Sequence, residues 1–398
     1  MEKQILRTYK FRVLPTKQQE EMFSKYFGCV RFVYNHFLSE RKKQYDKSHK
    51  SDSYNKQSKR LTELKKQVEY AWLNEINSQT LQHSLRHLET AYVNFFRGAT
   101  KFPQFKSKKS KNTFFVPQFC RIEGNKLIIP KFKDGIKFIE HRKVKGSVKS
   151  MTFSKTPTGK YFVSILTQET YIPFKKTNKF VGIDLGLKNF VITSDGQKYK
   201  NIRALKRYEK KLIQAQRHLS RKVKGSNSYE NQRRKVALLH EKITNVRTDY
   251  LHKVSTDIIK KYDIICLETL NVKGMVKNHM LAKTISDASW GEFVSMLEYK
   301  AEMNDKIISK IDRWYPSSKS CSCCGYIKQD LGLKDRIWKC PSCGTTHDRD
   351  INASINILSE GLKNISVGTI DYTNGDRVRL KQKHPSMKLE TPKFFIYA

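Results

Sequence analysis

Phe180-Val181-Gly182-Ile183-Asp184-Leu185-Gly186 is an apolar run that carries one carboxylate near its end, with a glycine two residues to either side of that acid. It reads as a strand, a tight glycine-containing turn and a second strand running to Thr193. The glycines are expected to let a phosphate or a metal approach the backbone. An aspartate in this place can also cap a turn. A second acid, Glu268, ends the apolar run Ile264-Ile265-Cys266-Leu267. A strand this apolar does not leave a carboxylate at its end without a use for it, whether as a ligand or as the partner of a lysine. A third lies in Thr346-His347-Asp348-Arg349-Asp350-Ile351-Asn352-Ala353, at a helix start. There Asp350 can serve as an N-cap, and Asp348, two residues away and open to pairing with Arg349, is its rival. Together, two strand-end carboxylates and one at a helix start can hold two divalent cations about 3.5–4 Å apart, the arrangement for in-line phosphodiester cleavage. An all-carboxylate set suits magnesium, with manganese able to substitute.

Outward from this core, two long basic helices follow the strand pair. Leu205, Tyr208, Leu212 and Leu219 share a face of the first, and Leu239, Ile243, Val246, Tyr250 and Val254 share a face of the second. Gly225-Ser226-Asn227 is the turn of this helical hairpin. A helix around Trp290, Phe293, Leu297 and Tyr299 precedes a strand from Ile307 to Trp314. Before residue 175 the pattern differs. Residues 4–14 read as a strand broken at Leu14-Pro15-Thr16. Helical spacing then runs through Phe23, Val30, Tyr34 and Phe37, a Ser/Lys-rich separator covers 46–59, and a later helix carries Leu81, Leu85, Leu88, Tyr92 and Phe95 up to Gly98. The basic loop 104–112 leads into short apolar runs punctuated by Gly124-Asn125, Asp134-Gly135 and Thr158-Gly159, an antiparallel β module.

Between the strand ending at Trp314 and the third acid lie five of the eight cysteines. Cys321 with Cys324 and Cys340 with Cys343 form two C-x-x-C pairs separated by 15 residues, the spacing of a four-thiolate zinc ribbon. Cys323 falls outside this pattern, because only Cys321 with Cys324 gives the two-residue gap. Gly325 and Gly344 each follow a pair and permit the tight knuckle backbone. Four protein ligands leave no open position, so one structural zinc is expected. Cys29, Cys120 and Cys266 read as thiols within apolar segments.

Lys and Arg total 78 against 37 acidic residues, a formal net charge of +41 over 398 residues with pI ≈ 9.9. Self-repulsion on that scale opposes folding unless a polyanion neutralises it, so nucleic acid is the expected partner. No 18-residue apolar stretch predicts a membrane span, and the opening residues lack a signal-peptide pattern. A cytoplasmic, nucleoid-associated protein is expected.

In order along the chain stand Tyr9-Lys10-Phe11-Arg12, Leu14-Pro15-Thr16, Phe27 through Asn35 and Phe102 through Lys108. Gly182 through Gly186, Glu268 through Met275, Ser317 through Gly325 and His347 through Ala353 complete the series. This combination resembles the TnpB (OrfB) proteins of insertion sequences, relatives of type V CRISPR nucleases, over nearly the whole chain. The resemblance implies an α+β multidomain protein. Its N-terminal β-barrel (1–16 and 104–175) carries an inserted helical recognition domain (17–103). An RNase H-like, RuvC-type α/β nuclease domain (176–315 and 346–365) follows, with an inserted zinc ribbon (316–345) and a partly disordered tail (366–398). It implies a guide RNA from the transposon end, a double-stranded DNA target cut beside a transposon-associated motif, and a monomer. Its catalytic, magnesium-binding acids match Asp184, Glu268 and, by analogy, Asp350 rather than Asp348. Tyr9, Lys10, Tyr34, Asn35, Gln79 and Thr80 are candidates for reading the motif, with Lys106 and Lys108 as further nucleic-acid contacts; core or solvated-surface roles are open to each. A nuclease-silent RNA-guided repressor and an unguided RNase H-like transposase or resolvase are the competing readings.

Overall fold

A computed structural model describes residues 2–49, 51–332 and 334–367; the expected tail lies outside the described residues beyond residue 367. The chain divides into two compact units. The first comprises Met1–Pro173 with Lys211–Lys242, and the second comprises Phe174–Lys210 with the chain from Ile243 onward.

In the first unit, β1 (Lys3–Val13) ends at Pro15, and α1 (Lys17–Ser48) starts on a capping box. Thr16 Oγ1 accepts from the Gln19 N–H at 3.3 Å, while Gln19 Oε1 accepts from the Thr16 N–H at 3.1 Å. The stretch 46–59, expected as a separator, is mostly helical. Helix α1 continues to Ser48, turns at His49 in the left-handed region (φ 52°), and α2 (Tyr54–Leu64) begins five residues later. Its Lys, Gln and Arg residues are good helix formers, and Leu61 and Leu64 anchor it in the core. A 3₁₀ segment (Val68–Glu75) leads to α3 (Ser78–Phe96), after which Gly98 takes φ 70°.

The β module contributes β2 (Asn112–Val116), β3 (Arg121–Glu123), β4 (Lys126–Ile128), β5 (Ile136–Ile139), β6 (Ser147–Lys155) and β7 (Tyr161–Tyr171). With β1 they form a seven-stranded antiparallel sheet in the order β2-β6-β7-β1-β5-β4-β3. The first strand is therefore interior, paired from Lys3↔Tyr171 to Val13↔Tyr161 with β7. Phe23 of α1 packs its ring on Phe114, Phe132, Phe153 and Tyr161, so the long helix and the sheet share one core.

The second unit opens with β8 (Phe180–Leu185), β9 (Asn189–Thr193) and β10 (Lys198–Lys200). Along the chain, helices α4 (Ala204–Ser220) and α5 (Asn227–Lys261) follow as the expected pair, their stretch from Lys211 to Lys242 being part of the first unit. Next come β11 (Ile264–Glu268), α6 (Val272–Met275), α7 (His279–Ala288), α8 (Trp290–Met303) and β12 (Ile307–Ile311). The last strand stops three residues short of the expected Trp314. Asp312 Oδ1 takes the Trp314 N–H at 2.7 Å, an Asx turn that leads the chain out of the ladder. Strands β13 (Ile337–Lys339) and β14 (Thr346–Asp348) form a small ribbon before α9 (Arg349–Val367).

The five-stranded sheet runs β10-β9-β8-β11-β12, with β11 parallel to both β8 and β12. On one face, Val181 and Ile183 join Leu251, Val254 and Ile258 of α5 and Phe293 and Leu297 of α8. The other face carries α9. There the two glycine positions near Asp184 take a different role from the one expected. A Cβ on Gly182 would lie 2.0 Å from the Ser354 carbonyl oxygen and 2.6 Å from the Leu358 nitrogen, so its space belongs to the α9 backbone and not to a phosphate. A Cβ on Gly186 would lie 2.8 Å from the Asn189 carbonyl oxygen of the tight β8–β9 turn. Gly361 of α9 makes the matching approach to β11, where a Cβ would meet Cys266 Sγ at 2.4 Å.

Candidate active site and cysteine cluster

Alternation along a strand fixes where the two strand-end acids point. Gly182 faces α9, so Asp184, two residues on, projects from the same face of β8. Cys266 faces Gly361, so Glu268 does likewise on β11. The parallel register pairs Leu267 with Ile183, which makes Glu268 and Asp184 the next residues on adjacent strands. Asp350 lies in the first turn of α9, the helix laid across this face. Two strand ends and one helix start thus bring the three acids together.

Their proximity is visible electrostatically. The Asp184 carboxyl is pushed up to about 7, first by loss of solvent, then by the negative charges of Glu268 and Asp350, with Arg349 opposing. A carboxyl deprived of solvent beside two other acids is costly to ionise, as Asp184 is here, and this is the electrostatic condition a divalent cation relieves. The donor set, oxygen only, fits magnesium or manganese.

Asp348 is placed differently. Its Oδ1 accepts from the N–H groups of Asp350 (3.0 Å) and Ile351 (3.2 Å), the contacts of a helix N-cap. Its Oδ2 pairs with Lys198 at 2.7 Å. These contacts, with the lysine bond foremost among the partners and the capped N–H groups beside it, hold its carboxyl below the usual range even against partial burial. The Asp350 carboxylate instead faces Arg336, whose guanidinium lies 3.2 Å from Oδ1.

Around Glu268 the structure adds a residue with no role assigned from the sequence. Ser317 donates its hydroxyl hydrogen to Glu268 Oε1. It lies within the Ser317–Gly325 motif, whose signal in the sequence is dominated by its cysteines.

The cysteine pairs converge as the spacing predicts. The sulfurs of Cys321, Cys324, Cys340 and Cys343 all lie within 4.8 Å of one another, with Cys321–Cys343 and Cys324–Cys340 each at 3.6 Å. Four thiolates at about 2.3 Å from a tetrahedral zinc stand about 3.8 Å apart, so the donor set and its spacing fit that ion. The knuckles are twins: the Gly325 N–H reaches the Cys321 carbonyl and the Gly344 N–H reaches the Cys340 carbonyl, both at 2.9 Å, with both glycines at positive φ (79° and 75°). His347 Nε2 lies 3.0 Å from Cys321 Sγ. Cys323 is exposed and outside the cluster.

Of the nucleic-acid candidates, three meet. Asn35 brackets the Lys106 backbone, its amide group donating to the carbonyl and accepting from the N–H, both at 2.8 Å. The Lys106 ammonium lies 3.9 Å above the Tyr34 ring centroid. Tyr9 is buried and donates to Glu169 at 2.6 Å, and Thr80 is buried. Lys10 is half-buried above Phe162, Gln79 donates to Gln118 at 3.0 Å, and Lys108 is exposed.

Among the described residues, no helix is long and apolar enough to cross a membrane.

Residues 163–279 match the OrfB family described as "Probable transposase". Residues 290–357 match the "Cas12f1-like, TNB domain". Residues 1–50 match a family described as "Helix-turn-helix domain", although here they form β1 and the single long helix α1. The chain is 40% identical over 366 residues to a "Putative RNA-guided DNA endonuclease" of Streptomyces pristinaespiralis, covering 91% of each protein. It is 33% identical over 374 residues to the "Putative RNA-guided DNA endonuclease InsQ" of Escherichia coli K12, covering 89% of this chain and 92% of that one. In fold it resembles the protein of a Cas12f1–sgRNA–target DNA complex, with a TM-score of 0.56 at 12% identity, over 89% of this chain and 99% of that one.

Proposed function

Because the chain belongs to the TnpB (OrfB) family, we propose that it is an RNA-guided DNA endonuclease of an insertion sequence, cutting beside a transposon-associated motif with Asp184, Glu268 and Asp350 as its catalytic acids. The observation that carries this reading is the convergence of two acids at adjacent strand ends with a third in the first turn of α9, where burial and then the charges of Glu268 and Asp350 push the Asp184 carboxyl up. A cluster of acids at a strand-end face, one of them deprived of solvent, is costly for folding and useful for holding cations.

Divalent cations held by these carboxylates would supply activation of the attacking water and neutralisation of the leaving oxygen in phosphodiester hydrolysis. The chain's own residues do the rest. Asp184 and Glu268 are fixed by the sheet, which sets their separation without relying on a mobile loop. Asp350 is fixed by the α9 start, which Asp348 caps. That capping engages Asp348 and supports Asp350 as the ligand. The zinc ribbon, with zinc on Cys321, Cys324, Cys340 and Cys343, is structural and stands directly before α9. The net charge of +41 serves a guide RNA and an RNA–DNA heteroduplex gripped through their phosphates, while base pairing carries the sequence.

The test uses the full chain purified with its co-purifying RNA. Sequencing that RNA supplies the guide; a double-stranded target matching the guide and flanked by a randomised library is then incubated in magnesium. Cleavage dependent on the match and lost in Asp184→Ala supports the reading. An uncut target, or identical products from Asp184→Ala, sinks it. Cleavage without any enriched RNA would favour an unguided nuclease.

A further inference from the structure

Ser317 is 6% exposed, and a buried hydroxyl needs a partner. Its partner is Glu268 Oε1. The hydroxyl's aim is set by a backbone pinned on both sides. Pro316 fixes the approach of the chain. The Ser317 N–H donates to the Tyr315 carbonyl at 2.8 Å, and the Ser317 carbonyl accepts from Asn356 Nδ2 at 2.8 Å.

Asn356 also donates to the Ser320 carbonyl at 2.7 Å. One turn earlier, Asn352 donates to the same carbonyl at 2.7 Å and accepts from the Ser322 N–H at 2.9 Å. Both asparagines are buried, Asn352 to 1% and Asn356 to 6% exposure. Helix α9 therefore grips the segment 317–322 by its backbone, just where that segment becomes the first cysteine knuckle. The helix that presents Asp350 also determines where the Ser317 hydroxyl stands.

We propose that Ser317 is a positioning residue for Glu268: its hydroxyl occupies one lone pair of Oε1 and fixes the carboxylate so that Oε2 is left free to face the cation. This rests on the reading of Glu268 as a metal ligand. A hydrogen bond to a carboxylate is charge-assisted and directional, and partners of ligating carboxylates typically change metal affinity about 10–100-fold when removed. Serine suits the role because its hydroxyl donates without carrying a charge that would compete with the cation.

The experiment measures Mn²⁺ binding to the full-length protein by calorimetry, alongside zinc content, melting temperature and the magnesium dependence of cleavage. Ser317→Ala is expected to keep its zinc and RNA, to weaken Mn²⁺ binding about 10-fold or more, and to raise the magnesium needed for half-maximal cleavage. Ser317→Thr, which keeps the hydroxyl, is expected to restore both. Glu268→Gln separates the two levels of the argument. If Glu268→Gln weakens Mn²⁺ binding while Ser317→Ala binds as the parent does, the positioning role is overturned and the metal site stands. If Glu268→Gln itself leaves Mn²⁺ binding unchanged, the reading of Glu268 falls, and this proposal with it.

Discussion

Gly182 of β8 lies against Ser354 of α9 so closely that a single added carbon would sit 2.0 Å from the Ser354 carbonyl oxygen. This contact seats the helix on the sheet, and the helix brings Asp350 to the strand-end acids. Gly182→Ala is therefore expected to displace α9 rather than merely crowd a loop. The clash is with backbone, which cannot rotate away, so a loss of several kcal/mol is expected. Thermal melting of the purified variant checks it: an unchanged melting temperature would contradict this packing.

Divalent cations should bind more tightly as pH rises toward and past 7. With its pKa raised to about 7, Asp184 holds its proton in the folded state at pH values where the unfolded chain has lost it. The folded state thus binds more protons between about pH 4 and pH 7, and the metal-free protein loses stability as pH rises through that window. Asp184→Asn, which cannot ionise, should flatten this slope. Melting curves from pH 4 to 8, with and without Mn²⁺, test both statements; a cation-induced rise in melting temperature as large at pH 5 as at pH 8 would refute them.

The two neighbouring aspartates should separate cleanly on substitution. Asp348→Ala removes an N-cap and an ion pair with Lys198, so a stability loss of about 1 kcal/mol with cleavage retained is expected. Asp350→Ala should abolish cleavage while lowering the melting temperature little or raising it, because it removes a like charge near Asp184. Reversed outcomes would make Asp348 the ligand.

Zinc content should distinguish the cysteines. Cys324→Ser or Cys340→Ser is expected to lower bound zinc from one per chain to well below one and to destabilise the protein, since structural zinc contributes directly to folding. Cys323→Ser should keep its zinc, as its side chain stands outside the cluster. Metal analysis of the purified variants decides the matter.

Much of the architecture is legible in the chain because it rests on local signals. The 3.6-residue spacing through Phe23, Val30 and Phe37, the apolar runs at Phe180 and Ile264, and the break at Pro15 each act within a few residues. The stretch 46–59 misleads because polar composition marks a surface and not a break; its Lys and Gln residues favour helix as well as loop. Trp314 likewise looks like strand by type, but the side chain of Asp312 turns the chain away.

The sequence by itself determined the family, the zinc-type cysteine spacing, the basic character and the three acids as a set. It could do so because ordered motifs, ligand spacing and net charge are properties of the chain alone. Tertiary structure decided what joins residues far apart along it. Gly182 makes room for a helix rather than a phosphate, Asp348 caps that helix while Asp350 stands beside Asp184, and Ser317 meets Glu268 from 49 positions away. Each of these depends on which face of a strand meets which turn of α9, and that register exists only once the sheet and helix have packed.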